Sequence, residues 1–308
     1  MTEPKVIPGV LSPVVMPFKL DLTPDAGRLV RQCRWLLSQG CGIAVFGTNS
    51  EANSLSVEEK IDLLDRLVDS GIYPHRMMPG TGLCAIPDTV RLTAHAVKRG
   101  CAGVLMLPPF YYKDVTEEGL FRSYAEVIEH VGDSRLQIYL YHIPPVAQVA
   151  IPLTLIERLI KAYPDTVVGI KDSGGDWSYN EAVLERFPGF YVFSGSETVL
   201  LKNMRAGGAG CISATVNINA GAIHKLFLNW QQSDAEYQQS LVNHVRTGIQ
   251  KYPMIPALKQ VVAHYSGDDE WARVRPPLVE LEAEQKTHLI EWLDASGFSM
   301  PGLAEVTA

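Results

Sequence analysis

Two patterns of apolar residues alternate along this chain. Short apolar runs rich in β-branched residues are typical of buried parallel strands, and apolar residues recurring every three or four positions are typical of the helices that connect them. We identify eight apolar runs, at residues 14–17, 43–46, 76–79, 103–107, 137–141, 167–170, 191–194 and 210–213. An amphipathic segment follows each run, so the pattern predicts eight successive strand–helix units.

Eight such units favour a closed barrel over an open doubly wound sheet, because no reversal of strand order is needed. After the eighth unit the pattern stays helical. We therefore predict an α/β fold in which residues 1–232 form a (β/α)8 TIM barrel. Residues 233–308 are predicted to form a C-terminal helical extension packed on the barrel, with a loosely held end from residue 302.

Local signals mark several helix boundaries. Thr23-Pro24 and Ser56 precede helical segments with acidic residues in the first turn, as expected of N-caps. Gly40, Gly71 and Gly100 stand where helices are predicted to end.

Composition narrows the function classes. The chain has 308 residues, of which 46% are hydrophobic, so it can bury a large core. Its formal charge of −7 disfavours binding to phosphate backbones and anionic lipids. The N-terminal segment has no basic patch followed by an apolar run, and no apolar stretch approaches the roughly 18 residues of a membrane span. We expect a cytoplasmic protein without nucleic-acid or membrane partners.

Cysteine and histidine spacings give no sign of a metal site. The five cysteines form no C-x-x-C pair, and the eight histidines include no H-x-x-x-H spacing. We expect buried, reduced thiols and no metal. Residues 207–210, Gly-Gly-Ala-Gly, precede a strand rather than follow one, so they do not fit a dinucleotide-binding fingerprint.

Lys171 is the strongest candidate for chemistry. In a barrel, catalytic groups lie at the C-terminal ends of strands, and Lys171 directly follows the run Val-Val-Gly-Ile. Burial there lowers the pKa of an amine, and a neutral amine attacks a ketone to form an imine, an electron sink. The alternative is an ion pair with Asp172 or Glu51, and spacing alone does not separate the two interpretations.

Other strand ends carry further candidates. Tyr141 ends the neighbouring strand, where a phenol can relay protons, although Tyr139 beside it shows that a core tyrosine is an equal alternative. The turn at residues 47–50 precedes a helix and offers N–H groups that can receive a carboxylate. His142, beside an Ile-Pro-Pro turn, favours a structural hydrogen bond over acid–base chemistry.

Three motifs, at residues 47–51 (GTNSE), 141–144 (YHIP) and 169–176 (GIKDSGGD), resemble the signatures of the dihydrodipicolinate synthase and N-acetylneuraminate lyase family. Their order and spacing also agree, and the resemblance extends from residues 8–10 to residues 275–278. It implies a class I lyase that works through a Schiff base and needs no cofactor or metal.

The resemblance also assigns roles to individual residues. Lys171 would form the Schiff base with a 2-oxo acid, and Tyr141 would relay protons. Thr48 and Asn49 would hold the substrate carboxylate. The pocket would be completed by Ser173, Gly195 and Ile212.

A further aromatic residue is implied at a subunit interface. Tyr111 would be the catalytic aromatic that family tetramers insert across a tight dimer interface, with Tyr112 as the alternative. The protein would then be a homotetramer, a dimer of dimers.

Two departures from the family pattern narrow the substrate. True dihydrodipicolinate synthases have an arginine five residues after the relay tyrosine, where this chain has Val146, so lysine biosynthesis is not expected. Asn49 replaces the more usual threonine, which is similar to 4-hydroxy-2-oxoglutarate and 2-keto-3-deoxy sugar acid aldolases. An edge formed by Val146, Ala147 and Val149 would equally suit an aromatic or aliphatic aldehyde.

The functional hypothesis is therefore a lyase that cleaves a 2-oxo acid into pyruvate and an aldehyde, or the reverse condensation. One alternative is a 2-keto-3-deoxy acid dehydratase or a hydratase-aldolase of the same family. Another is a barrel that binds a 2-oxo acid without catalysis.

Overall fold

The computed structural model describes residue 7 and residues 9–307, without the side chains of residues 306 and 307. Within this part of the chain, seven parallel strands form one sheet: β1 (Gly9–Ser12), β2 (Gly42–Ile43), β3 (Val104–Met106), β4 (Ile138–His142), β5 (Val167–Asp172), β6 (Tyr191–Ser194) and β7 (Gly210–Ile212). The α-helices are α1 (Ala26–Ser38), α2 (Val57–Asp69), α3 (Ile86–Lys98), α4 (Glu117–Val131), α5 (Pro144–Ala147), α6 (Leu153–Ala162), α7 (Trp177–Arg186), α8 (Leu200–Arg205), α9 (Val216–Leu228), α10 (Ala235–Ile249), α11 (Met254–Ser266), α12 (Ala283–Ala295) and α13 (Leu303–Thr307). The predicted α/β class with parallel strands is confirmed.

The sheet is curled, and its strands lie in the order β2-β1-β7-β6-β5-β4-β3. The two edge strands, β2 and β3, both form hydrogen bonds with residues 77–80. The Met78 N–H donates to the Ile43 carbonyl at 2.8 Å, and the Leu105 N–H donates to the Pro79 carbonyl at 2.9 Å. The predicted strand at 76–79 therefore forms isolated bridges between the edge strands rather than a full strand.

The prediction of a first strand at residues 14–17 is wrong, because the strand lies at Gly9–Ser12. Val14 and Val15 are fully buried, which explains the apolar run. Pro13 and Pro17 flank them and have no N–H group to donate to a neighbouring strand. The Val15 N–H donates instead to the Asn217 side chain at 2.9 Å.

The C-terminal helices pack on the rest of the chain. The Trp35 indole N–H in α1 donates to the Pro301 carbonyl at 2.9 Å. Leu303 in α13 is buried, so the expectation of a loose end from residue 302 is wrong at Leu303, whereas Gly302, Ala304 and Glu305 are exposed. The division into a barrel of residues 1–232 and an extension of residues 233–308 stays a prediction.

Helix α2 begins as predicted, with Ser56 as its N-cap. The Glu59 N–H donates to Ser56 Oγ at 3.1 Å, and the Ser56 N–H donates to Glu59 Oε2 at 2.8 Å. This reciprocal pair satisfies two N–H groups that the first helical turn leaves free. The first helix differs from the prediction, since Asp25 rather than Thr23 caps α1.

We expect Ser56→Ala to lower the free energy of unfolding by about 1 kcal/mol, since it removes the cap acceptor of α2. Urea unfolding monitored by circular dichroism measures the change. Ser240→Ala is the matched control, because Ser240 is exposed within α10 and caps no helix N-terminus. Equal stability of Ser56→Ala and the wild type would show that the capping box contributes nothing.

Candidate active site

A cavity of about 550 Å³ opens where the strands end, and helices α7 and α10 also line it. It brings together the residues predicted to contact the substrate: Thr48, Asn49, Tyr141, Lys171, Ser173, Gly195 and Ile212. These residues come from separate parts of the chain and meet because parallel strands end at the same side of the sheet. The predicted catalytic residue Tyr111 does not line this cavity.

Lys171 lies near the end of β5 and is buried. It is in register with Tyr141 of the adjacent strand β4, and its Nζ atom lies 4.2 Å from the centroid of the Tyr141 ring. Asp172, one proposed ion-pair partner, instead accepts hydrogen bonds from the Gly174 N–H at 2.9 Å and pairs with His142 Nδ1 at 2.7 Å. Glu51, the other proposed partner, forms an ion pair with Lys259 instead. The ion-pair interpretation of Lys171 is therefore wrong for both carboxylates.

Glu51 belongs to a buried ion pair with the C-terminal helices. Lys259 Nζ on α11 lies 2.7 Å from Glu51 Oε1, and both side chains are fully buried. The Arg275 N–H donates to the other carboxylate oxygen at 2.8 Å. Burial lowers the pKa of Lys259 to about 8, although the Glu51 carboxylate acts in the opposite direction. Glu51 has a left-handed backbone, with φ of 51°, which is unusual for a residue other than glycine.

This ion pair holds the turn that carries Thr48 and Asn49. The turn is a short 3₁₀ helix at Thr48–Ser50, and Glu51 directly follows it. The Ser50 hydroxyl donates to the Val14 carbonyl at 2.5 Å, which ties the turn to the segment after β1. The turn is therefore fixed from both sides before any substrate binds.

Tyr141 is buried, and its hydroxyl lies 3.0 Å from Thr48 Oγ1. Tyr139, two residues earlier on the same face of β4, packs edge-to-face on Phe193 with ring centroids 5.8 Å apart. Burial raises the pKa of the Tyr139 hydroxyl, and this hydroxyl has no hydrogen-bond partner among the described residues. Tyr139 is thus the core tyrosine, and Tyr141 is the one at the cavity.

His142 has the contacts of a structural residue. Its ring pairs with Asp172 and stacks on Tyr179, with ring centroids 4.1 Å apart. The Tyr179 hydroxyl donates to the Ile151 carbonyl at 2.6 Å. These contacts fix Asp172 beside Lys171 and agree with the structural interpretation of His142.

Gly195 is a point of close approach between β5 and β6. A Cβ atom at this position would lie 2.2 Å from Ser173 Oγ, so only glycine fits. The Gly195 N–H donates to the Asp172 carbonyl at 2.6 Å. Its N–H group is therefore already paired within the protein, although Gly195 and Ser173 both line the cavity.

Tyr111 and Tyr112 lie on the surface, 73% and 69% exposed. Their rings meet edge-to-face, with centroids 5.4 Å apart. Lys113, next to them, donates from Nζ to the Ala147 carbonyl at 2.9 Å, which joins this segment to α5 at the cavity mouth. The role of Tyr111 across a subunit interface stays a prediction.

The predicted apolar edge is only partly present. Val146 lines the cavity and is 61% exposed, but Ala147 and Val149 are buried outside the cavity lining. Ala147 ends α5 and Val149 follows it, and neither lines the cavity, so the expectation of a three-residue apolar edge is wrong.

Several cavity residues escaped the sequence analysis: Trp177, Asn180, Thr198, Arg246, Gln250 and Met254. They lie on helices or next to them rather than at strand ends, and no sequence motif marks them. Arg246 on α10 lies 3.6 Å from the buried Glu197 carboxylate. Glu197 also accepts hydrogen bonds from the hydroxyl groups of Ser213 and Thr215.

The sequence also predicts buried cysteines, no metal site and no membrane span. Cys33, Cys41 and Cys211 are buried and Cys101 is partly buried, but Cys84 is exposed, so the expectation of buried thiols is wrong for Cys84. No group of three or more histidine, cysteine or carboxylate side chains is placed to hold a metal ion in the part of the chain that is described. In the same part, no helix is long and apolar enough to cross a membrane.

The model of the dihydrodipicolinate synthetase family matches residues 7–296. The chain belongs to this family. The membership that the three motifs predicted is thus confirmed, and the chain is an enzyme of the lyase class. An uncharacterized DapA-like lyase of Chloroflexus aurantiacus is a similar family member, 32% identical over 295 residues, with 92% of this chain and 94% of that protein covered.

Solved structures of the family have the same fold. The dihydrodipicolinate synthase of Agrobacterium tumefaciens superposes with a TM-score of 0.86 at 31% identity, covering 93% of this chain and 98% of the other. A variant of the Sulfolobus solfataricus 2-keto-3-deoxygluconate aldolase superposes with a TM-score of 0.85 at 20% identity, covering 94% and 96%. At that identity the second structure supports the fold alone.

Proposed function

We propose that this protein is a Schiff-base lyase of the class I aldolase type, which cleaves a 2-oxo acid to pyruvate and an aldehyde or condenses the two. The observation that carries the proposal is the buried Lys171 amine beside the Tyr141 ring, with both candidate carboxylate partners bonded to other groups. In our proposal the sheet and residues 77–80 form a closed (β/α)8 barrel with this amine at its mouth.

The proposed reaction begins with attack of Lys171 Nζ on the C2 ketone. Loss of water from the carbinolamine gives a protonated imine, which accepts the electron pair of the C3–C4 bond as this bond breaks. The C4 hydroxyl loses its proton, its oxygen becomes a carbonyl oxygen, and the C4 fragment leaves as the aldehyde. Protonation of the resulting enamine at C3 and hydrolysis of the imine then release pyruvate and restore the amine.

Tyr141 and Thr48 are proposed to move the protons of these steps. Their oxygens are 3.0 Å apart, within hydrogen-bond distance, and the Tyr141 ring lies beside the amine. Thr48 and Asn49 would hold the substrate carboxylate at the turn that the Glu51–Lys259 pair fixes. The reaction as written needs no cofactor or metal.

We place the substrate in the 4-hydroxy-2-oxoglutarate or 2-keto-3-deoxy sugar acid class. Val146 lines the cavity at the position where dihydrodipicolinate synthases carry an arginine for the carboxylate of the second substrate, which disfavours the synthase reaction. A competing candidate is 4-hydroxy-tetrahydrodipicolinate synthase, since relatives such as that of Methanococcoides burtonii, 29% identical over 302 residues, carry this name. The dehydratase and hydratase-aldolase reactions remain alternatives with the same imine, and a cytoplasmic homotetramer built through Tyr111 remains part of the proposal.

Trapping the imine tests the mechanism. The protein is incubated with pyruvate and sodium borohydride, which reduces the imine to a stable amine, and the adduct is mapped by peptide mass spectrometry. We expect one pyruvate adduct, on Lys171. No adduct would refute the mechanism, and pyruvate binding without turnover of any aldehyde would favour the non-catalytic barrel. Formation of 4-hydroxy-tetrahydrodipicolinate would instead favour the synthase.

We expect Tyr141→Phe to lower kcat by about 10²- to 10⁴-fold, because it removes the proton-relay hydroxyl and keeps the ring. Steady-state assays in the cleavage direction measure the change. Tyr139→Phe is the matched control on the same strand, since its hydroxyl is buried and has no partner among the described residues. Similar losses of kcat in both variants would contradict the assignment of Tyr141.

A further inference from the structure

Three of the described lysines are buried: Lys60, Lys171 and Lys259. Lys171 lines the substrate cavity, and Lys259 pairs with Glu51. Lys60, on α2, is only 2% exposed, and its amine has no hydrogen-bond or ion-pair partner among the described residues. Burial of a charge without a partner is unfavourable, so an unpaired buried amine indicates a functional role rather than a structural one.

Lys60 lines a second, small cavity of about 20 Å³, and its amine is not among the unpaired groups that the protein encloses fully. Thr48 and Tyr141 line both this cavity and the substrate cavity that contains Lys171. The proton-relay pair is therefore the wall that the two cavities share. Since one water molecule needs roughly 10–15 Å³, the small cavity has room for about one water and for no organic ligand.

The charge of Lys60 depends on pH close to neutrality. Burial lowers the pKa of its amine to about 8, although the carboxylates of Asp88 on α3 and Glu59 on α2 act in the opposite direction. Neither carboxylate contacts the amine, and Glu59 instead pairs with Arg275 at 2.7 Å. Lys60 therefore carries a positive charge below about pH 8 and loses it as the pH rises through this value.

We propose that Lys60 is a positioning residue of the proton relay, whose ammonium group acts on the Thr48 and Tyr141 hydroxyls through one water molecule in the small cavity. In the proposed reaction the Tyr141 phenol donates a proton to the carbinolamine hydroxyl, which leaves as water. The phenol regains a proton from the C4 hydroxyl when the C3–C4 bond breaks. Between these steps its oxygen is negative, and a nearby cation stabilises that charge. The inference rests on the proposed function, because it concerns the relay of that reaction.

Hydrogen–deuterium exchange at C3 of pyruvate tests the inference without any aldehyde. The protein and pyruvate are mixed in buffered D₂O, and proton NMR follows the loss of the methyl signal as the enamine forms and takes up deuterium. We expect wild-type exchange to slow as the pH rises through about 8, where Lys60 loses its charge. In Lys60→Met, exchange at pH 7 is expected to be about 10-fold slower than in the wild type and to lack this pH dependence. Lys60→Arg keeps the charge, so the decline should move to higher pH.

Two further measurements separate this role from a structural one. Lys60→Met combined with Tyr141→Phe should exchange no more slowly than Tyr141→Phe alone, because Lys60 acts through the Tyr141 hydroxyl. Lys60→Met should also unfold at the same or a higher urea concentration than the wild type, since it removes a buried charge that has no partner. Lys98→Met is the control, because Lys98 is exposed on α3 and lines neither cavity.

The outcomes for this inference and for the proposed function are distinct. Wild-type exchange and an unchanged pH profile in Lys60→Met, or a further loss of exchange in the double variant, would overturn the inference alone. A lower urea midpoint in Lys60→Met would likewise assign Lys60 a structural role. No exchange by the wild type, together with no borohydride adduct on Lys171, would refute the proposed function itself.

Discussion

Lys171→Arg is expected to lower kcat by about 10⁴- to 10⁶-fold, the loss typical of removing a covalent nucleophile. Arginine keeps the positive charge and most of the length of lysine. Its guanidinium stays protonated, however, and does not add to a ketone. The neighbours of Lys171 are the Tyr141 ring and residues of the cavity rather than an ion-pair partner, so the exchange removes the nucleophile without breaking a salt bridge.

Two measurements check this expectation. Steady-state assays give kcat, and borohydride trapping with pyruvate reports the adduct, which should be absent in Lys171→Arg. Lys225→Arg is the control, because Lys225 is exposed on α9 and does not line the cavity. Turnover within 10-fold of the wild type, or an adduct at another lysine such as Lys259, would refute the assignment of Lys171 as the nucleophile.

Lys259→Met is expected to lower the free energy of unfolding by about 3–5 kcal/mol. Methionine has a similar length but no charge, so the Glu51 carboxylate stays buried without its cation. The Arg275 N–H remains as a hydrogen-bond donor and does not replace the charge. Because Glu51 follows the Thr48–Ser50 turn, KM for the 2-oxo acid should also rise.

Urea unfolding at fixed pH measures the loss of stability, and a second variant isolates its cause. In Lys259→Met combined with Glu51→Gln the unpaired charge is gone, so part of the lost free energy should return. Arg91→Met breaks the exposed pair with Glu58 and should leave stability unchanged within error. If the single and double variants at Lys259 and Glu51 unfold at the same urea concentration, the buried charge is not the cause.

The strand ends explain why much of the site was predictable. Lys171, Tyr141 and Thr48 each follow or end an apolar run, and parallel strands bring such positions together. The family motifs then favoured the interpretation of Lys171 as a nucleophile over the ion pair. Spacing alone did not distinguish the two. In the structure, the same distinction rests on which groups Asp172 and Glu51 contact.

Asn180 and Arg246 were not predictable in this way. They lie on α7 and α10, where a polar residue in a helix is usually solvated, and their position at the cavity depends on how these helices pack. The misplaced first strand has a similar origin. Val14 and Val15 in the run at residues 14–17 are buried as its composition predicts, but Pro13 and Pro17 do not support strand pairing.

The Glu51–Lys259 pair joins residues 208 positions apart in the sequence. A ribosome synthesises the Thr48–Ser50 turn early and the residues that fix it near the end. Contacts of such long sequence separation form late in folding, since most of the chain must be ordered first. When all strands of the sheet have left the ribosome, the Thr48–Ser50 turn is therefore still without the residues that fix it. We expect activity only after the segment up to Arg275 has left the exit tunnel.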